Sequence, residues 1–593
     1  MSLSSLDWII IAAFYAVSFL IGLIVSKRAG SSSSEYFLSG RSMPWWLLGV
    51  SMVATTFAID TPNLVAGIVR QNGVAGNWVW WAFLLTGMLT VFVYARLWRR
   101  SKVTTDLEFY ELRYSGKSAA FLRGFRALYL GVFFNVMIMA NVCLAAIKLG
   151  GVVLGFSPLE TLLVASLITV VYSSLGGLRG VLITDFVQFG FAMIGSIWAA
   201  SLIVNRPEVG GLDALLTHPN VVGKLNLLPD FSDTTMLVSV FIVPLAVQWW
   251  SVWYPGSEPG GGGYVAQRML SAKNEKHAIG ATFFFNLAHY GLRPWPWIVI
   301  GLASLIVYPD LNSLRVAFPA VEESFIQDDL SYPAMLAFLP VGVLGLVIAS
   351  LVAAFMSTIS THLNWGSSYV VNDFYKRFIK PEASEKEQVL VGRVSTVLLM
   401  VVAGTVALFL ESAMQSFNIL LSIGAGTGLI FILRWFWWRI NAATEISGMI
   451  VSFVVAIFFE FGYEKFGFEP LAGHIQLIAS VGVTTVIWLV VTLATPASST
   501  ETLESFYRTI RPVGPGWETI RKGLIAKGET LEEHSKAESL TQGIANFLIG
   551  SFSVYFFLFG VGYVIYGNVG IGVGLLALST LGVFFVLRRV VKS

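Results

Sequence analysis

Several polar groups lie in stretches of about twenty apolar residues, where an ionisable or hydrogen-bonding side chain is expensive and therefore carries a candidate function. The stretch Gly49–Asn63 places Asp60, Thr61 and Pro62 near the middle of one apolar run. Proline removes an amide donor and collides with the preceding turn, so a helix is predicted to break here. A break at mid-membrane survives only where the freed backbone lines a cavity or faces protein. Discontinuous helices of this kind build solute sites, with freed carbonyls coordinating a cation.

A second run, Ala353–His362, sets Ala354, Ser357, Thr358 and Thr361 along one helical face. Neutral hydroxyls and carbonyls suit a hard monovalent cation that must be released again, whereas calcium sites usually recruit several carboxylates. The same stripe read structurally is small-residue packing between helices. Asp185, in Ile183–Gln188, can add one full negative charge to an ion held by hydroxyls, or pair with Arg179 at the membrane interface. Asn286, His289 and Arg293 share another run, with His289 and Arg293 one helical turn apart. Arg293 requires an acceptor: a carboxylate such as Asp60, a carbonyl, or an anionic group on a solute. The glycines Gly260 to Gly263 lack the Gly-Lys-Ser/Thr ending of a phosphate loop. The aromatic residues before them, Trp249, Trp250, Trp253 and Tyr254, read as an interfacial belt or as a gate over a ring-shaped solute. Cys143, the only cysteine, excludes an intramolecular disulfide and a thiol metal cluster.

The elements that must hold these residues are membrane helices. Of 593 residues 55% are hydrophobic and 12% charged, about half the charged share of a soluble domain. Apolar runs long enough to span a bilayer fall at about 7–27, 44–68, 76–97, 122–154, 158–177, 180–205, 235–256, 277–307, 335–372, 388–411, 413–435, 444–462, 473–493, 544–566 and 568–588. The expected architecture is an all-α polytopic membrane protein of about fifteen spans. Lys and Arg gather on alternate loops, from Lys27 and Arg28 to Arg588, Arg589 and Lys592, which predicts an outside N-terminus and a cytoplasmic C-terminus in a cell (inner) membrane. The net charge of +3 is small and dispersed, so no nucleic acid is implied, and no obligate protein partner is evident. The segment 495–541 reads as a cytoplasmic linker with some amphipathic helix, followed by a two-span extension at 542–593.

At Glu35–Trp46, Thr184–Gln188, Gln267–Lys273 and the hydroxyl stripe running to Asn372–Lys376, the chain resembles the sodium:solute symporter family, over about residues 7 to 493. The resemblance implies a LeuT-type core of two inverted five-helix repeats. They would fall at 44–205 and 235–440, after an extra span at 1–43 and before peripheral spans at 441–494. It also implies a sodium site at the Ala54, Phe57 and Ala354 carbonyls with the Ser357 and Thr358 hydroxyls, and a second at Asp185, Ser357, Ser360 and Thr361. Thr61 takes the place of a polar glutamine of the sugar carriers and His289 that of a lysine. Pro255–Pro259 disturbs the segment of the family's tyrosine gate, to which Trp253 and Tyr254 correspond approximately.

The resulting expectation is sodium-coupled symport of a small organic solute by alternating access, with sodium and solute as the molecules handled. Asp60, Thr61 and His289 suit a sugar or sugar derivative; Arg293 suits a sugar acid or carboxylate, and an amino acid remains an alternative. A non-concentrating sensor or channel on the same core is the rival of another class. No catalytic motif such as a His-Glu-x-x-His helix is present, so an enzyme is not expected.

Overall fold

The computed structural model describes residues 3–29, 39–103, 105–173, 178–251, 258–531 and 539–592, and among them the regular structure is helix, with one isolated bridge between Met43 and Ala272. The principal helices of the first half are α1 (Ser5–Ala29), α2 (Trp45–Thr55), α3 (Asp60–Asn72), α4 (Val74–Ser101), α5 (Gly116–Leu154), α6 (Pro158–Ser173) and α7 (Leu178–Val204). Then come α8 (Thr234–Ala246), α9 (Gly263–Ser271), α10 (Glu275–Val307), α11 (Val343–Ile379), α12 (Glu385–Ala407), α13 (Ala413–Gly424) and α14 (Gly428–Phe436). The chain closes with α15 (Ala442–Ile457), α16 (Gly473–Ala494), α17 (Thr500–Ile510), α18 (Glu518–Ala526), α19 (Leu540–Ile565) and α20 (Val569–Lys592). Among the described residues nine helices are long and apolar enough to cross a membrane, or eleven if each bent pair, α2/α3 and α13/α14, is one span.

Three interruptions shape the core. Between α2 and α3 the axis turns by 63°. The break occupies Thr56–Ile59, upstream of Pro62, which lies in the first turn of α3. The proline ring excludes a helical carbonyl four residues earlier, at Ala58, whereas in a first turn its missing N–H costs nothing. Thr56 Oγ1 donates to the carbonyls of Met52 (3.1 Å) and Val53 (2.9 Å), closing α2. Between α13 and α14 the turn is 43°, at Gly426, whose φ of +78° suits glycine. In the second half α8 stops at Ala246, Val247 leaves the helical region, Gln248–Trp250 form a single 3-10 turn, and the next α-helix among the described residues starts at Gly263.

α2 lies against α7, α10 and α11, while α3 lies against α10 and α13, so the break at 56–59 is enclosed by these helices. α1 packs on α7 and α11. Its Asp7 carboxylate accepts from the backbone N–H of Gly342 (2.7 Å) and Gly345 (2.8 Å), filling donors that the start of α11 leaves open.

One end of the bundle is tied by buried ion pairs. Arg70 donates to Asp328 (2.9 Å) and to the carbonyls of Ser304 (3.2 Å) and Tyr308 (2.7 Å). Lys148 meets Asp329 at 2.5 Å and the Glu411 carbonyl at 2.7 Å, and Asp329 also accepts from Ala413 N at 2.9 Å. At the opposite end Arg113, fully buried, donates to the carbonyls of Arg434 (2.8 Å) and Trp437 (3.0 Å).

The polar segment after α16 is built into that end. Its apolar residues Leu503, Phe506, Ile510, Trp517 and Leu524 are buried. Trp517 donates to the Trp435 carbonyl (2.8 Å), stacks on Phe506 with centroids 5.2 Å apart, and lies 4.9 Å from the Arg113 guanidinium. The last two helices pair with one another, and α19 packs on α4 and α10. There Tyr555 donates to the Trp81 carbonyl (3.0 Å) and Trp295 to the Leu558 carbonyl (3.1 Å).

Candidate functional site

The break at 56–59 opens on a cavity walled by α3, α4, α5, α10 and α13, with about 80 Å³ accessible to the centres of water-sized molecules. That is room for several waters, so it is more than a packing defect. Asp60 and Thr61 from one stretch of sequence and Asn286, His289 and Arg293 from another all line it. Aromatic faces complete it: Trp80 stacks on Tyr290 at 5.7 Å, and the His289 ring lies 5.2 Å from Phe285.

α10 winds as a π-helix at Leu287–Leu292, a feature often found at functional sites. The extra residue in the turn still leaves Arg293 Nη2 3.3 Å from His289 Nε2. Arginine only donates, so Nε2 accepts, the imidazole proton sits on Nδ1, and Nδ1 donates to Thr56 Oγ1 at 3.1 Å. Arg293 Nη1 donates to the same hydroxyl at 3.3 Å, and the guanidinium lies 5.4 Å from the Trp297 ring. The break residue Thr56 is thereby clamped by two α10 side chains. Arg293 also acts on the charge of Asp60 across the cavity.

Three residues of this lining carry a buried acceptor without a donor among the described residues: Asp60 Oδ1, Asn141 Oδ1 and Asn286 Oδ1, the last lying against Gly87 of α4. Asn141 uses its amide nitrogen on Asp60 Oδ2, and Asn286 uses its own on the Thr282 carbonyl at 2.8 Å. Flipping either amide would set oxygen against oxygen, so the orphaned atoms are acceptors. Each can accept from a donor brought by a solute.

Behind the break, Asp185 of α7 is buried between two hydroxyls, accepting from Ser51 of α2 at 2.7 Å and Ser357 of α11 at 2.9 Å. Arg268 of α9 lies 3.4 Å from Ser51 Oγ, a cation coupled to that carboxylate. Ser360 donates to the Ser357 carbonyl at 3.1 Å. The buried hydroxyls of Thr358 and Thr361 have no partner among the described residues. Ala54, Phe57 and Ala354 are buried as well. The Ala54 carbonyl accepts from Phe57 N at 3.1 Å, while Phe57 itself sits in the non-helical gap. Trp253 and Tyr254 lie outside the described residues. So does the Arg179 side chain, the alternative partner for Asp185.

Sequence reading missed Asn141, Glu258, Gly87 and Arg268. Glu258 lines the cavity and pairs with Arg126 at 3.3 Å, both buried. Gly87 lets α4 close on α10, since a Cβ there would come within 1.7 Å of Asn286 Oδ1. A glutamate beside a glycine run and an asparagine inside an apolar helix were visible as oddities. No spacing rule ties them to Asp60.

The model of the sodium:solute symporter family matches residues 36–452. A sodium/glucose cotransporter of Vibrio parahaemolyticus is 26% identical over 480 residues, 77% of this chain and 86% of that protein. The sodium/sialic acid symporter SiaT of Proteus mirabilis (strain HI4320) is 24% identical over 501 residues, 81% of this chain and 94% of the relative. Among solved structures, a substrate-bound, outward-open sodium-coupled sialic acid symporter superposes with a TM-score of 0.64 at 20% identity, covering 84% of this chain and 99% of the other.

Proposed function

The chain belongs to the sodium:solute symporter family and is an integral membrane transporter with a LeuT-type fold, not an enzyme, and from its cavity we propose that the solute it carries with sodium is a sugar or sugar derivative. The observation that supports this reading is the set of three orphaned acceptors, Asp60 Oδ1, Asn141 Oδ1 and Asn286 Oδ1, beside the aromatic faces of Trp80 and Tyr290. A polyhydroxylated ring presents several O–H donors at its edge and a C–H face to an aromatic wall. An amino acid brings its ammonium donors on a single atom, whereas these acceptors sit on three helices, α3, α5 and α10.

In this reading sodium binds first at the Ala54, Phe57 and Ala354 carbonyls and the Ser357 and Thr358 hydroxyls, holding α2 against α11. A second ion sits at Asp185 with Ser357, Ser360 and Thr361. Asp60, Thr61, Asn286, His289 and Arg293 contact the solute, with Trp253 and Tyr254 as gate. Sodium joins the broken helix to the hydroxyl helix and completes the cavity, so each ligand strengthens the other. The bundles then rock and release both ligands. The N-terminus is assigned to the outside and the C-terminus to the cytoplasm of a cell membrane.

A second reading rests on Arg293, whose charge suits a sugar acid. Both are tested by uptake into proteoliposomes, with and without a sodium gradient, of neutral sugars, sugar acids and amino acids, on wild type and Ser357→Ala. Sodium-dependent sugar uptake lost in the variant supports the proposal. Uptake confined to sugar acids selects the second reading, and sodium-driven uptake of amino acids alone overturns both.

A further inference from the structure

Away from the transport cavity, at the end of the bundle that carries Arg113, three chain segments enclose an open concavity with about 470 Å³ for the centres of water-sized molecules. Six basic side chains line it: Arg99, Arg100 and Lys102 at the end of α4, Lys273 ahead of α10, and Arg508 and Arg511 at the end of α17. The only carboxylate in the lining is Glu275, which pairs with Arg100 at 3.1 Å, and Arg508 pairs outside the lining with Glu529 at 2.6 Å and Glu504 at 3.3 Å.

This gathering exceeds what membrane orientation requires. Basic residues flanking spans orient a protein while dispersed in water, but Arg508 and Arg511 belong to no span and reach the concavity only because α17 is docked by its buried apolar face. Lys102 and Lys273 have no ion-pair partner among the described residues, and Arg99 spends its Nε on the Ala272 carbonyl at 3.1 Å. A neighbour outside the lining, Arg41, donates to the Lys102 carbonyl at 2.9 Å, repelled by Arg99 and attracted by Glu108. The backbone is strained too. Of the four non-glycine residues with positive φ among the described residues, three are Arg41 (54°), Lys102 (55°) and Arg511 (51°), a conformation uncommon for such residues. Like charges converging on strained backbone are sustained where an anion offsets them.

We propose that this concavity is a binding site for a phosphate-bearing anion, held by Arg99, Lys102, Lys273 and Arg511. Phosphate oxygens match both the fork of arginine and the point charge of lysine. The site lies where α4 ends and α10 begins, at the level of lipid headgroups, so the phosphate can come from a phosphomonoester lipid or from a soluble phosphate. In either case the ligand bridges α17 to the ends of α4 and α10.

The test is titration of the purified full-length protein with dioctanoyl phosphatidic acid and, separately, with inorganic pyrophosphate, comparing wild type with the Lys102→Gln, Lys273→Gln, Arg511→Gln triple variant. At about 1 kcal/mol for each basic residue near an anionic surface, the triple variant is expected to bind about a hundredfold more weakly. The Lys102→Arg, Lys273→Arg variant should bind like wild type. Tighter binding of the lipid than of pyrophosphate assigns the site to a headgroup, and tight pyrophosphate binding assigns it to a soluble phosphate. No binding of either probe, or equal affinity in wild type and a triple variant that melts normally, overturns the proposal.

Discussion

Replacing Asp185 by asparagine should lower the concentrating power of the transporter while leaving its solute cavity intact. The carboxylate is held by hydroxyls of Ser51 at 2.7 Å and Ser357 at 2.9 Å, with the Arg268 guanidinium 3.4 Å beyond the first hydroxyl. Asparagine is nearly isosteric but has one acceptor oxygen, so one serine must turn and accept from the new amide. The larger change is electrostatic. Arg268 loses its counter-charge, and a sodium ion approaching Ser357 and Thr361 meets a net cation instead of a neutral pair. One unit charge at about 4 Å, with an effective dielectric of about 20, is worth about 4 kcal/mol, or about three decades of sodium affinity. A site weakened that far stays empty at ordinary sodium concentrations. Each coupled sodium contributes about 2.3 kcal/mol per 100 mV and about 1.4 kcal/mol for a tenfold gradient. Losing one of two ions therefore drops the attainable accumulation from about five decades to about three. The assay is the steady-state accumulation ratio in proteoliposomes at a fixed potential and gradient, together with the sodium dependence of the initial rate. An unchanged ratio, with an unchanged sodium dependence, would refute the assignment of an ion to Asp185.

Gly87→Ala should abolish uptake, because its Cβ would lie 1.7 Å from Asn286 Oδ1 and force that side chain out of the cavity wall; transport kinetics and solute binding check this. Lys148→Met leaves Asp329 buried without its cation, which costs about 3–5 kcal/mol. It should appear as a large fall in the melting temperature of the purified protein, relieved in part by adding Asp329→Asn.

The helices were legible because apolar runs of bilayer length admit few other structures, and the hydroxyls of Ser357, Thr358 and Thr361 because they repeat along one helix. Asp60, His289 and Arg293 were legible as costs: each is too polar for its run. Their meeting place was not, since it depends on how α3 and α10 cross. The break was legible from Pro62, whose ring collides with the turn before itself, and the gap opens at Thr56–Ile59. Glu258, Asn141 and Arg268 stayed hidden because their partners, Arg126, Asp60 and Asp185, are distant in sequence. The segment after α16 reads as a linker with some amphipathic helix, and its polar average does not say that Phe506, Ile510 and Trp517 turn inward to be buried.

That docked segment bears on where the chain can be shortened. Hydropathy suggests a natural cut near residue 495, after the last peripheral span. Such a cut would strip Phe506 and Trp517 from the Arg113 guanidinium, now 5.3 and 4.9 Å from their rings, and leave that buried cation and the Trp435 carbonyl facing solvent. A shortened protein that keeps this end of the bundle closed must run at least to Ala526, the end of α18.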